Sequence, residues 1–209
     1  MAYSDFTADR LTNDFGVDFR GENLFADVPE VDSSPWLIEA LHRANILGFG
    51  TEKSRSERLV TPLLLELANR NQRTFSIISG ANMDADPTRG LNGECDFVFS
   101  FSRIQDFLMA PVFCITEAKR QDLEQDTIQC AAQLIGARQV NEREKHPLPV
   151  LYGCSTTGVE WRFVRFENDV FVFDETRYLI SNPNKLLGIL QLIISESKAA
   201  YLSLRNNSQ

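Results

Sequence analysis

The sequence predicts an α/β domain built around a central mixed β-sheet that is flanked by helices. Three observations favour this fold class. Apolar residues recur at helical spacing near both ends of the chain, runs with the two-residue period of strands lie between them, and the composition is that of a globular protein, with 43% hydrophobic and 24% charged residues. At 209 residues, the chain is long enough to bury one full core.

Residues 1–34 are expected to form an N-terminal arm or loosely ordered extension, ahead of a domain that spans residues 35–209. They are rich in Asp, Glu, Asn and Gly, and their phenylalanines show no clear periodicity. The first helix is predicted to begin around Pro35, because Ser34 can cap its free N–H groups and Pro suits the first helical position. It is predicted to end near Gly48.

A second helix is indicated between Ser54 and Asn71, where apolar residues recur on one face. Pro62 interrupts its first half, since Pro inside a helix costs about 3 kcal/mol. The regular part is therefore predicted to begin with Thr61 as its cap, and the residues from Ser54 to Val60 are predicted to form a separate turn.

Six strands and two further helices complete the expected fold. Apolar alternation or continuous apolar runs predict strands over 74–79, 94–101, 111–119, 150–154, 160–166 and 170–173. The helices are predicted over 122–140 and 183–204. In the fifth strand, Trp161, Phe163 and Phe166 are interleaved with arginines, as on a nucleic-acid-binding surface, but such alternation is more often that of a buried strand face.

Charge and cysteine usage limit the function classes. The net charge is −8, whereas proteins that hold nucleic acid by electrostatics alone carry a basic excess. The cysteines form no C-x-x-C pair, which argues against a zinc site and predicts small buried side chains; they are Cys95, Cys114, Cys130 and Cys154. No stretch approaches the roughly 20 apolar residues that span a bilayer, so we expect a cytoplasmic protein without a membrane partner.

The most informative pattern is a pair of carboxylates on two neighbouring predicted strands. If strands 94–101 and 111–119 form a symmetric antiparallel hairpin, Asp96 lies opposite Glu117 at one end of the sheet. Opposed carboxylates repel each other unless a cation lies between them, and carboxylate oxygens are ligands that Mg²⁺ prefers. Lys119 follows Glu117 by two residues, so its ammonium is expected on the same face, where it can position a water or stabilise phosphoryl charge.

These residue types suit metal-assisted hydrolysis of a phosphodiester. The metal, Mg²⁺ or Mn²⁺, lowers the pKa of its bound water and offsets the charge of the transition state. The competing interpretation is a solvated strand end at which Asp96, Glu117 and Lys119 form ordinary exposed ion pairs. Spacing alone leaves both interpretations open.

The chain resembles the PD-(D/E)XK nuclease superfamily, whose motif is an acidic residue on one strand and Glu-x-Lys on the next. Asp96 and the run Glu117-Ala118-Lys119 match these positions, although no Pro precedes Asp96. The resemblance covers the chain from about Ser54 to Phe173. It implies a restriction-endonuclease-like fold and a Mg²⁺-dependent nuclease that acts on DNA.

Within this superfamily, the chain is similar to the N-terminal nuclease domain of type I restriction motor subunits. Those domains carry a helical Glu before a Pro-Leu segment, matched by Glu57 and Pro62-Leu63, and a Gln on the helix after the motif, matched by Gln129. Gln133 is the second candidate for that Gln, and the pair lacks the Tyr of the RecB-like branch.

The resemblance also implies a role for each residue. Glu57, Asp96 and Glu117 would surround the metal, Glu57 directly or through water, while Lys119 assists the attacking water and Gln129 orients that water or a phosphate. Glu57 can equally be a first-turn acid that the helix dipole favours, and Gln129 can be a polar residue beside a packed face.

Two further function classes stay open. One is a nuclease-like domain with little or no catalysis that serves binding or assembly in a defence or repair complex, which the acidic surface favours. The other is a metal-dependent hydrolase of another phosphate-containing substrate, because a fold does not determine a function. The expected partners are DNA, a second copy of the chain, since duplex cleavage needs two cuts, and a subunit of a larger complex.

Overall fold

The computed structural model describes residues 1–104, 106–118 and 123–207. It confirms the predicted fold class, because the described residues form a mixed eight-stranded sheet that is flanked by helices. Each of the six predicted strands overlaps a strand of the structure, and each predicted helix overlaps a helix.

The described residues contain six α-helices and eight strands. The helices are α1 (Ala8–Phe15), α2 (Pro35–Leu47), α3 (Glu52–Arg55), α4 (Thr61–Arg70), α5 (Leu123–Arg143) and α6 (Pro183–Asn207). The strands are β1 (Asp18–Glu22), β2 (Ser76–Asn82), β3 (Glu94–Ser100), β4 (Val112–Ala118), β5 (Val150–Thr156), β6 (Glu160–Glu167), β7 (Val170–Asp174) and β8 (Tyr178–Leu179). A π-helical segment, Ser56–Val60, joins α3 to α4. Among these described helices, none has both the length and the apolar character needed to cross a membrane.

The strand order places β3 and β4 inside the sheet. It runs β1-β7-β6-β5-β4-β3-β2, and β8 pairs with β6 outside this path. Neighbouring strands are antiparallel except for the parallel pairs β1/β7 and β4/β5. A parallel pair needs a crossover connection, and α5 lies in the connection between β4 and β5.

Helices α5 and α6 cover opposite faces of the sheet. A Cβ added at Gly153 of β5 would lie 2.6 Å from Sγ of Cys130 on α5, so glycine is required here for the helix to pack this closely. The preceding residue, Tyr152, points to the other face and donates a hydrogen bond from its hydroxyl to Glu196 of α6, at 2.5 Å. Successive residues of β5 therefore face α5 and α6 in alternation.

The expectation of a loosely ordered arm over residues 1–34 is wrong. Thr7 caps α1, which ends at Gly16 in the left-handed conformation, and β1 pairs with β7 at the edge of the sheet. Phe6 and Leu11 are fully buried in the core. The phenylalanines lack a period because a helix, a strand and irregular segments contribute them separately.

The predicted helix starts are largely confirmed. The hydroxyl of Ser34 accepts a hydrogen bond from the N–H of Leu37 at 3.2 Å, and Gly48 follows the last residue of α2. Helix α4 begins at Thr61 and carries Pro62 in its first turn. Thr61 is its first helical residue and not its cap, because the cap position belongs to the residue before it. The residues before Thr61 are helical, in α3 and the π-helical segment, and do not form the separate turn that was predicted.

The aromatic strand and the cysteines belong to the core. Trp161, Phe163 and Phe166 are at most 2% exposed, which confirms the interpretation of this run as a buried strand face. All four cysteines are free and buried, as predicted.

Candidate active site

Asp96 and Glu117 are neighbours across β3 and β4, as the symmetric hairpin predicts. Phe97 pairs with Thr116 in antiparallel register, and the next residues outward on the two strands are Asp96 and Glu117. The register shifts only at Phe99, on the loop side of the acids. Opposed residues of antiparallel strands hold their Cβ atoms about 4.5 to 5.5 Å apart, so the two carboxylates share one end of the sheet.

Asp96 is held in place by the backbone of the neighbouring strand. Its side chain is half-buried, and Oδ2 accepts a hydrogen bond from the N–H of Ala118 at 2.7 Å. This contact ties the carboxylate to the end of β4, next to Glu117. A charged acceptor and a backbone donor form one of the stronger kinds of hydrogen bond in proteins.

Glu117 lies beneath α5, where two glutamine side chains bind it. Its exposure is 1%, and Nε2 of Gln129 donates to Oε1 while Nε2 of Gln133 donates to Oε2, the latter at 2.9 Å. Gln129 and Gln133 are one helical turn apart on α5, so both amides reach the same carboxylate. We call this arrangement the glutamine clamp.

The glutamine clamp binds both oxygens of the buried carboxylate. Gln129 donates to one oxygen and Gln133 to the other. The buried Oε1 of Gln133, among the described residues, accepts no hydrogen bond. An acceptor of this kind beside Glu117 suits a donor such as a metal-bound water.

A cleft of about 350 Å³ lies at the end of β3, and Glu57 and Asp96 both line it. Glu94, two residues before Asp96 on the same strand, and Glu52 of α3 add two further carboxylates, and Lys53 adds a cation. We call it the acidic cleft. It brings together a glutamate from the helical region before the sheet and the aspartate of β3.

Glu57 occupies the exposed rim of the acidic cleft. Its side chain is 59% exposed and lies 3.9 Å from the ammonium of Lys53, whose side chain is 85% exposed. Exposed pairs of this kind contribute about 0 to 1 kcal/mol. Glu57 is therefore far less constrained than Glu117.

The π-helical segment explains how Glu57 comes to point at the cleft. Pro62 has no N–H and cannot form the usual helical hydrogen bond, while the N–H of the preceding Thr61 bonds to the carbonyl of Ser56, five residues back. The hydroxyl of Thr61 donates to the same carbonyl at 2.9 Å. The wider turn rotates the preceding residues about the helix axis, a device that is frequent at functional sites.

Both acids of the motif act on Cys95, which lies next to Asp96 on β3. Burial raises the pKa of the Cys95 thiol well above its ordinary value, and the negative charges of Glu117 and then Asp96 raise it further. The two carboxylates therefore concentrate negative potential at one place in the sheet, which a cation would offset.

Lys119 lies outside the described residues, because the description of β4 ends at Ala118. Within the described ranges, no group of three or more His, Cys, Asp or Glu side chains is close enough to hold a metal ion. Mg²⁺ commonly binds through one or two carboxylates and completes its shell with waters and substrate phosphates. The pair of Asp96 and Glu117 fits that mode of binding in the chemistry of its donors.

Glu94 was not singled out as a site residue from the sequence, whereas Gln133 was named there as the second candidate for the Gln on the helix after the motif. The signal for Gln133 was present, because it repeats Gln129 after four residues on a helix that follows the motif. The signal for Glu94 was its position two residues before Asp96, which puts both side chains on one face of β3.

Comparison of the chain with family models, with curated proteins and with solved structures finds no match. The resemblance to PD-(D/E)XK nucleases consequently rests on the motif residues of the sequence.

Proposed function

We propose that this protein is a Mg²⁺-dependent nuclease that hydrolyses phosphodiester bonds of DNA. The observation that carries the proposal is the register of β3 and β4, in which Asp96 and Glu117 follow the last pair at one end of the strands, with Glu117 buried and bound by the glutamine clamp. Two carboxylates placed together in this way repel each other, and a cation bound between them would offset that repulsion. Mn²⁺ would serve the same role, because it prefers the same oxygen ligands.

In this proposal, Asp96 and Glu117 hold the metal, and Glu57 contributes through water from the rim of the acidic cleft. When bound, Mg²⁺ polarises the phosphoryl oxygen and lowers the pKa of the attacking water. Gln129 and Gln133 fix the orientation of the Glu117 carboxylate. The hydrolysis adds one water across the P–O ester bond and leaves a phosphate monoester and an alcohol.

Lys119 is proposed to assist the attacking water. An ammonium near the reacting phosphate would stabilise the charge that develops on the phosphoryl oxygens. Its position two residues after Glu117 supports this role.

Two further features of the protein belong to the same proposal. We infer that it acts in the cytoplasm, where the reducing conditions suit its four free, buried cysteines. We also infer that two copies act together on duplex DNA, since one site cuts one strand at a time. A dimer would convert plasmid directly to the linear form, whereas a monomer would accumulate the nicked form first.

The test of the proposal is an Asp96→Asn variant, because Asn keeps an acceptor for the N–H of Ala118 while it removes the charge. Glu39→Gln is the matched control, since Glu39 is an exposed acid on α2, paired with Arg43. Mg²⁺ binding is measured by calorimetry, and plasmid and single-stranded DNA are then incubated with each protein. We expect wild type and Glu39→Gln to bind Mg²⁺ and to cleave, and Asp96→Asn to lose both properties.

The second candidate function is a nuclease-like domain that binds or assembles without catalysis. Two observations favour it: the net charge of −8 opposes nonspecific binding to DNA, and two amide bonds are also how a purely structural buried carboxylate is satisfied. If wild type binds no Mg²⁺ at millimolar concentration and leaves DNA intact, this second function replaces the first.

A further inference from the structure

A second cleft, of about 460 Å³, opens on the α5 face of the sheet. Its lining consists of Arg162 of β6, Phe173 of β7 and four residues of α5, which are Glu124, Gln125, Thr127 and Ile128. We call it the arginine cleft. It is separate from the acidic cleft, with which it shares no lining residue.

Strand register connects the arginine cleft to the candidate active site. Glu117 pairs with Ser155 of β5, and Ser155 pairs with Arg162 of β6, so the three residues form a row across the sheet. Paired residues project from the same face, and a hydrogen bond of 2.7 Å between the hydroxyls of Ser155 and Thr127 places this row under α5. Two strand spacings separate Arg162 from Glu117, which is about 10 Å.

The guanidinium of Arg162 is positioned without a direct anionic partner. It lies over the ring of Phe173, 5.2 Å from the centroid, and is half-buried. Within the described part of the chain, it makes no hydrogen bond and no ion pair. Burial lowers its pKa and the charge of Arg177 lowers it further, while the charges of Glu124 and Asp174 act in the opposite direction. A partly desolvated cation next to a second cation is stabilised by an incoming anion.

The acids around the arginine cleft are already engaged by other groups. Arg177 lies 3.0 Å from Glu160 and 4.0 Å from Glu124. Asp174 is buried, and it accepts hydrogen bonds from the hydroxyl of Tyr178 and from a backbone N–H. Arg162 is thus a cation that lines the cleft, and within the described residues its guanidinium has no direct contact with a carboxylate.

We propose that Arg162 binds a backbone phosphate of the nucleic-acid strand whose scissile phosphate lies at Asp96 and Glu117. A separation of about 10 Å is spanned by a few nucleotides of one strand, so a single strand can contact both places. The position of the scissile phosphate rests on the proposed function. The binding of phosphate by Arg162 needs no metal and can be measured without it.

The test uses a fluorescein-labelled single-stranded oligonucleotide, whose anisotropy is measured with full-length protein in EDTA over a series of NaCl concentrations. Arg162→Gln removes the charge, and Arg162→Lys keeps it. Arg165→Gln is the matched control, because it removes the same charge from the opposite face of β6, where Arg165 pairs with Tyr152 on the α6 side. Thermal unfolding of each variant verifies that it is folded.

We expect Arg162→Gln to weaken binding about tenfold, as for the loss of one charged hydrogen bond. The slope of log affinity against log salt should fall by about 0.7, the value for one phosphate contact on a single strand. Arg162→Lys should retain most of that slope, and Arg165→Gln should leave it unchanged. A purely structural role for Arg162 would lower the melting temperature without changing the salt slope.

A plasmid-cleavage assay on the same proteins separates this inference from the proposed function. If wild type cleaves and the salt slope of Arg162→Gln equals that of wild type, the phosphate site is overturned and the nuclease stands. If wild type binds oligonucleotide through Arg162 but does not cleave in Mg²⁺, the phosphate site stands and the nuclease fails. If wild type neither binds nor cleaves, both are overturned.

Discussion

Glu117 and Glu57 belong to the same candidate site but lie in contrasting surroundings. Glu117 is enclosed between β4 and α5 with an amide on each carboxylate oxygen, whereas Glu57 lies on the π-helical segment with most of its side chain in solvent. A buried and fully bonded side chain has one orientation, while an exposed one samples several rotamers. The interface between β4 and α5 therefore holds the carboxylate of Glu117 in one orientation, whereas the carboxylate of Glu57 on the exposed rim can change its position.

In the proposed site, both glutamates serve one metal, but only Glu117, which binds it directly, needs a fixed side-chain orientation. A ligand that must keep its geometry benefits from the support of neighbouring side chains, which the glutamine clamp supplies. A group that acts through water does not need such support. Substitutions at the two positions should therefore differ strongly in their effects.

The largest effect is expected from Glu117→Ala. Removal of the carboxylate should abolish Mg²⁺-dependent cleavage, and each buried amide left without its acceptor should lower the free energy of unfolding by about 1 to 3 kcal/mol. Urea unfolding measures the stability, and plasmid cleavage is measured well below the unfolding transition. Retained cleavage would remove Glu117 from the site, and unchanged stability would show that the glutamine clamp does not form in solution.

A smaller effect is expected from Gln133→Leu, which removes one amide of the clamp but keeps the volume and helical propensity of the side chain. Loss of a group that orients a metal ligand typically costs 10- to 100-fold in metal affinity or activity. Gln139→Leu, further along the same helix, is the matched control. Equal Mg²⁺ affinity in the two variants would mean that Gln129 alone positions Glu117.

The sequence was sufficient to predict the sheet, its flanking helices and the opposition of Asp96 and Glu117. These features follow from long periodic runs and from a hairpin whose two strands are adjacent in the chain. The prediction for residues 1–34 was wrong because this segment is ordered by its packing against β7 and the core. It consists of several short elements, and each of them buries only a few residues. The two residues of β8 are too few to show any period.

The parts of the site that escaped prediction depend on contacts between distant segments. The π-helical turn follows from the missing N–H of Pro62 together with the bond from Thr61 to Ser56. The row from Glu117 to Arg162 requires the parallel pairing of β4 with β5, which only the strand order reveals. Both glutamines of the clamp reach Glu117 because α5 packs back over β4, and the spacing of residues along the chain does not specify that packing.

The smallest effect is expected from Glu57→Gln. Because the side chain is exposed and its pair with Lys53 is worth at most about 1 kcal/mol, cleavage should fall by about fivefold or less, and stability should change by less than 1 kcal/mol. Glu52→Gln, which removes another acid that lines the acidic cleft, is the matched control. Rates over a range of Mg²⁺ concentrations distinguish a weaker metal site from a slower chemical step. A loss in Glu57→Gln as large as that in Glu117→Ala would contradict the contrast between the two glutamates, because it would require Glu57 to leave the exposed rim and bind the metal directly.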